Sequence, residues 1–86
     1  MYEVVLHPDV LKFYADAQVA TAKKIAGAFK QLSREPRNYP TIKSLKGTLA
    51  GYYRYRIGDY RIIYQIDDQA QKVFVDLIVH RGEAYK

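Results

Sequence analysis

The 86 residues carry a formal net charge of +5 and a pI near 9.5, which points to an acidic partner, nucleic acid first among them. The chain is expected to hold one domain, residues 1–86, and its 49% apolar share argues against disorder. It has no cysteine, which removes disulfides, thiolate metal sites and a thiol nucleophile together. Its two histidines, His7 and His80, stand too far apart in sequence to suggest a metal site. No secretory h-region and no long apolar run is present, so a cytoplasmic protein without membrane contact is expected.

In chain order, Tyr2 to Leu6 reads as a first strand. Pro8 suits a first helical turn, where its missing N–H has no intrahelical partner, and Asp9 complements the helix dipole. Residues 8–34 carry helical spacing. Val10, Phe13, Tyr14 and Ala17 form one apolar stripe, and Ala22, Ile25, Ala26, Phe29 and Leu32 a second. The join is expected at residues 18–21, giving a helical hairpin that ends at Glu35-Pro36. Residues 36–51, with their prolines and glycines, read as a loop. Strands follow at residues 52–57, 60–66 and 73–79, joined by the Gly58-Asp59 turn and a polar turn at residues 67–72. A polar tail closes the chain from His80. The pattern is β-α-α-β-β-β: a two-layer α+β domain whose last three strands form an antiparallel meander under the hairpin.

Charge is uneven along this pattern. Arg37, Lys43, Lys46, Arg54, Arg56 and Arg61 crowd residues 37–61, opposed there only by Asp59. Successive strand residues point to opposite faces. Burying Tyr53, Tyr55 and Ile57 with Tyr60, Ile62, Tyr64 and Ile66 therefore turns Arg54, Arg56 and Arg61 onto the open face. Guanidinium forks match phosphate oxygens two at a time, so such a face is suited to a phosphate backbone. The plainer alternative is a solvated strand face. An imidazole can move protons near neutral pH, which makes His80 a candidate for that task, although a surface histidine at a strand end needs no such role. Tyr85 has an equally plain reading, as a tail aromatic packed on the sheet rim.

The segments Leu45-Lys46-Gly47, Tyr53 to Tyr64 (YRYRIGDYRIIY) and His80 to Lys86 (HRGEAYK) resemble the RelE/ParE toxin superfamily, on its RelE side. The resemblance covers essentially the whole chain, and the middle segment is its most specific part. It implies an mRNA interferase that enters the ribosome and cuts the message there without a metal or cofactor, the message's own 2′-hydroxyl attacking the adjacent phosphate. Carried over by motif, it implies catalytic roles for Arg54, Arg56, Arg61, Arg81 and Tyr85. His80 is the candidate for proton transfer, and Lys43 and Lys46 are candidates for ribosome and RNA phosphates. Some relatives carry lysines where this chain has Arg54 and Arg56, which leaves the general base open, because arginine stays charged. The resemblance also implies a cognate antitoxin as partner, with operator DNA reached only through that antitoxin. The ParE branch, which shares the fold but poisons DNA gyrase by binding, is the alternative. A binding module without catalysis is a third reading.

Overall fold

A computed structural model describes residues 1–80. Strand β1 (Glu3–Leu6) leads through His7 into helix α1 (Pro8–Asp16), followed by helix α2 (Val19–Arg34). Strands β2 (Ile42–Ser44), β3 (Tyr53–Ile57), β4 (Tyr60–Asp67) and β5 (Lys72–His80) complete a five-stranded sheet. Its order is β1-β5-β4-β3-β2, with β1 parallel to β5 and every other pair antiparallel. The two-layer α+β architecture and the closing meander are as the sequence predicts. Among the described residues no helix is long and apolar enough to cross a membrane.

Local chemistry explains the element ends. The His7 Nδ1 accepts the Asp9 backbone N–H at 3.0 Å, capping α1, with Pro8 in its first turn. The hairpin join is tighter than residues 18–21. The Ala22 N–H donates to the Gln18 carbonyl at 2.8 Å, so α2 already turns at Val19 and only Ala17 and Gln18 lie between the helices. At the other end, the Glu35 carboxylate accepts the backbone N–H groups of Arg37 (3.0 Å) and Asn38 (3.1 Å). Those bonds, Asn38's first, hold its pKa below the usual carboxylate range.

The expected loop at residues 36–51 contains a strand. Ile42 is buried opposite Tyr55, and Lys43 lies opposite Arg54. Three residues are too few to show alternation, and Pro40 and Gly47 on either side make the segment look like a loop. The β3–β4 turn is as expected, with Gly58 at φ 56° in the position where type II′ hairpins place glycine.

The core lies between the helices and one sheet face. Val10, Ala28 and Leu32 pack on Ile42, Tyr55, Ile62, Tyr64, Val73 and Val75. Tyr64 is completely buried, and its hydroxyl donates to the Pro36 carbonyl at 2.7 Å, tying the loop after α2 to the central strand. Burial raises the Tyr64 pKa well above that of a free phenol.

Candidate nucleic-acid interface

The sheet face away from the helices is organised by pairing. Residues directly opposite across an antiparallel pair point the same way. Arg56 faces Arg61, which faces Val79; Lys43 faces Arg54, which faces Ile63, which faces Leu77. Arg54, Arg56, Arg61 and Lys43 therefore occupy one patch on the open face, as the alternation of β3 and β4 predicts. Arg56 and Lys43 are exposed, while Arg54 and Arg61 are half-buried.

The patch is electrostatically unsatisfied. Like charges placed directly opposite in a sheet repel, and Arg56 and Arg61 are such a pair. Among the described residues the ion pair between fully charged side chains is Arg37–Asp68, and it does not reach the patch. The Arg61 Nη1 is buried without a hydrogen-bond partner among the described residues. A buried donor left unpaired is costly, and an anionic oxygen that reaches it removes the cost. The arrangement suits an oxygen-rich anion shared among several planar forks.

Other members of the basic run separate from this patch. Arg37 leaves it altogether. Its guanidinium grips both Asp68 carboxylate oxygens at 2.8 and 2.9 Å, and its Nε–H donates to the Tyr53 hydroxyl at 3.1 Å. The Tyr2 hydroxyl donates to the same carboxylate at 2.7 Å. Arg37, and after it Tyr2, hold Asp68 down at about 2, and Asp68 with Tyr53 pushes Arg37 up. This staple joins the loop after α2 to β3, to the β4–β5 turn and to the segment before β1. The local count of acids hid it, because Asp68 lies 31 residues away in sequence. Lys46 stands beyond the end of β2, outside the sheet pairing.

His80 is not brought to the arginines. It faces Tyr60 across β4 and β5, with ring centroids 5.2 Å apart, and Tyr60 in turn meets Phe13 of α1 at 5.6 Å. His80 therefore shares the helix side of the sheet, because Arg61 follows Tyr60 and points the other way. Arg81 and Tyr85 lie outside the described residues.

One feature of the open face escapes an alternation argument. Between the Ile63–Leu77 and Tyr64–Val75 pairs, β5 advances two residues while β4 advances one, leaving Asp76 without an opposite residue. This bulge reverses the faces of β5. Val73 and Val75 enter the core, whereas Leu77 and Val79 join Ile63 on the open face. It also sets the Asp76 carboxylate against the Gln65 side chain, whose Nε2 donates to Asp76 Oδ2 at 2.7 Å and to the Tyr52 hydroxyl at 3.2 Å. Nothing in a run of β-branched residues announces a bulge.

The helix side offers a different surface. An open groove of about 670 Å³ runs between the hairpin and Tyr60, lined by Lys12, Phe13, Asp16 and Thr21 among others. Its acidic and basic groups are mixed, unlike the run of three arginines opposite. Among the described residues there is no cluster of metal-ligating side chains.

Comparison with known proteins bears on these features. Residues 4–85 match the sequence family described as the ParE toxin of the type II toxin–antitoxin system parDE. Toxin RelG of Mycobacterium tuberculosis is 41% identical over 59 residues, a stretch spanning 69% of this chain and 66% of that protein, just under two thirds of its length. The archaeal RelE–RelB complex of Pyrococcus horikoshii OT3 contains a chain that superposes with a TM-score of 0.81 at 28% identity, covering 96% of this chain and 98% of that one. A chain of the toxin–antitoxin complex RelBE2 of Mycobacterium tuberculosis superposes at 0.78 with 31% identity, covering 93% and 98%.

Proposed function

Because the chain belongs to the ParE toxin family of type II toxin–antitoxin systems, within the RelE/ParE superfamily, we propose that it is a metal-independent endoribonuclease that cuts messenger RNA on the ribosome. The observation that carries this reading is the cross-strand Arg56–Arg61 pair, with Arg54 and Lys43 on the same face and no acid paired to any of them among the described residues.

In the proposed reaction the 2′-oxygen of one nucleotide attacks its own 3′-phosphorus. The bond to the next nucleotide's 5′-oxygen breaks, leaving a 2′,3′-cyclic phosphate and a 5′-hydroxyl. Negative charge grows on the non-bridging oxygens as the phosphorus becomes five-coordinate. Fixed cations aimed at those oxygens lower the barrier without having to reorganise. Arg61 takes the central share, since its buried Nη1 is the donor with most to gain, and Arg54 and Arg56 flank it. Guanidinium groups stay protonated, so these three residues stabilise charge rather than move protons. Holding the 2′-oxygen in line supplies a further part of the rate. Arg81 and Tyr85 are assigned to the leaving side and to stacking on a base. His80 faces the helix side, so this reading gives it no contact with the scissile phosphate. Lys43 extends the basic surface toward ribosomal phosphates, with Lys46 beyond it.

The partner proposed for the resting state is a cognate antitoxin, since the superposing structures from Pyrococcus and Mycobacterium are toxin–antitoxin complexes. An acidic antitoxin segment laid over the arginine patch quenches its charge, and operator DNA is met only through that antitoxin. The second reading is gyrase poisoning, favoured by the ParE description of the matching family. Purified protein added to translating ribosomes, beside a gyrase supercoiling assay, separates the two. Cut message with normal supercoiling supports the nuclease. Intact message with blocked supercoiling supports the alternative.

A further inference from the structure

Cleavage on the open face needs a group that takes the proton of the attacking 2′-hydroxyl. The three arginines do not supply it, because guanidinium groups stay protonated, and His80 faces the helix side. Among the described residues the carboxylates on the open face are Glu3, Asp67 and Asp76. Glu3 and Asp67 flank Lys72 in the pairing, and the Asp67 Oδ1 already accepts the Ala70 backbone N–H at 3.0 Å. Asp67 also lies four residues along β4 from Ile63, roughly 13 Å away.

Asp76 is placed differently. Ile63 is buried in the middle of the open face, with Arg54 opposite it on β3, Leu77 opposite it on β5 and Arg61 two residues before it on β4. Asp76 adjoins Leu77 on the side away from Arg61, which sets its Cα roughly 6 Å from that of Ile63. Arg54, Arg61 and Asp76 therefore surround one apolar floor. A phosphate gripped by the two arginines above Ile63 lies between them and the carboxylate.

That carboxylate is held in place and left unspent. The Gln65 Nε2 donates to its Oδ2 at 2.7 Å and to the Tyr52 hydroxyl at 3.2 Å, which anchors Asp76 through β4 to β3. Among the described residues its Oδ1 takes no hydrogen bond, and neither oxygen is ion-paired to an arginine. A cation in direct contact would favour the ionised form and weaken the group as a base. The bulge that leaves Asp76 without a residue opposite is what turns it to this face.

We propose that Asp76 is the general base of the cleavage. The assignment rests on the RNA-cleaving reading of the same face and fills the place that arginine, in exchange for lysine, leaves empty. As the 2′-oxygen bonds to phosphorus, its proton passes to Asp76 Oδ1. The bond from phosphorus to the 5′-oxygen breaks, its electron pair stays on that oxygen, and the oxygen takes a proton from solvent. Asp76 then returns its own proton to solvent.

The test uses the full chain and ribosomes programmed with a short message. Single-turnover formation of cyclic ends gives the rate, and a message with a 2′-deoxy residue at the cut site gives affinity without reaction. Asp76→Asn keeps the shape of the side chain and an oxygen for the Gln65 bond. It should slow the cut by roughly 100-fold or more, with affinity unchanged or tighter because a negative charge beside the phosphates is gone. Asp76→Glu should recover part of the rate. Formate added to Asp76→Ala should raise its rate in proportion to concentration and do nothing for Arg61→Ala. Full rate in Asp76→Asn overturns the assignment and leaves the arginine face standing. A slow Asp76→Asn that also binds more weakly overturns it too, since a displaced strand explains both losses. Where the Asp76 variants do not fold, Gln65→Ala frees the carboxylate from its anchor and should slow the cut without weakening binding; an unchanged rate there counts against the base. Absence of cyclic ends with the unmodified chain removes the cleavage reading itself.

Discussion

Arg37 and Arg61 belong to one basic run in the sequence and are held in opposite ways. Arg37 is bonded at all three of its nitrogens: Asp68 grips both ends of its fork and Tyr53 takes its Nε–H. Among the described residues Arg61 is buried at Nη1 without a partner and faces a second arginine across the strands. A satisfied guanidinium adds stability through contacts already made. An unsatisfied one beside a like charge costs stability and keeps its donors for something that arrives later. The contrast separates residues that hold the fold from residues that are available for function, although composition alone treats them as equals.

The sharpest way to break the contrast is Arg61→Ala. Loss of a preformed charge-stabilising donor should reduce message cleavage by roughly 100- to 1,000-fold. Thermal stability should hold or rise, because a like-charge repulsion is removed. A protein that unfolds on this change would place Arg61 with Arg37 among the structural residues. Next in size is Tyr64→Phe, among the residues that hold the fold. It strands the Pro36 carbonyl and should cost about 1–3 kcal/mol in denaturant unfolding, with cleavage by the surviving folded protein unchanged.

Smaller still is the response of the staple to acid. The folded pKa of Asp68 is depressed to about 2 from an ordinary 3.8. Its contribution is therefore complete above 3.8 and is lost as pH falls from there toward 2. Asp68→Asn should lower stability at neutral pH and flatten the stability profile across that acid window. An unchanged profile would mean that the exposed staple contributes nothing. The smallest effect is expected from Lys43→Ala, which should lower the slope of log affinity for RNA against log salt by about one. Lys46→Ala, off the sheet, should change that slope less.

Much of this was legible in the chain. The alternation through YRYRI and YRIIYQI by itself places Arg54, Arg56 and Arg61 on one face, because both strands bury their Tyr and Ile sets on the other. The helical stripes located Val10, Ile25 and Leu32 in the interior. Three things were not legible, each for its own reason. Strand β2 is only three residues long and exists because β3 offers it an edge, not because of its own pattern. The bulge at Asp76 shifts the register of β5 by one residue, which no local propensity signals, and the Gln65 contact depends on it. The side of the sheet that His80 takes is not legible locally, because the sequence does not say how β5 pairs with β4. Once Tyr60 is its partner, the pleat sends its ring to the helix side. The pairing of Arg37 is hidden for a related reason, since its acid partner comes from a distant turn.

The role proposed for the unsatisfied arginines of the open face is to promote cutting of RNA by its own 2′-oxygen. Its most direct test is the chemistry of the 3′ ends left on message bound to ribosomes after exposure to the protein. The unmodified chain should leave 2′,3′-cyclic phosphate ends, and Arg61→Ala none above background. Ends bearing a free 3′-hydroxyl, or cyclic ends that persist undiminished in the variant, would contradict it.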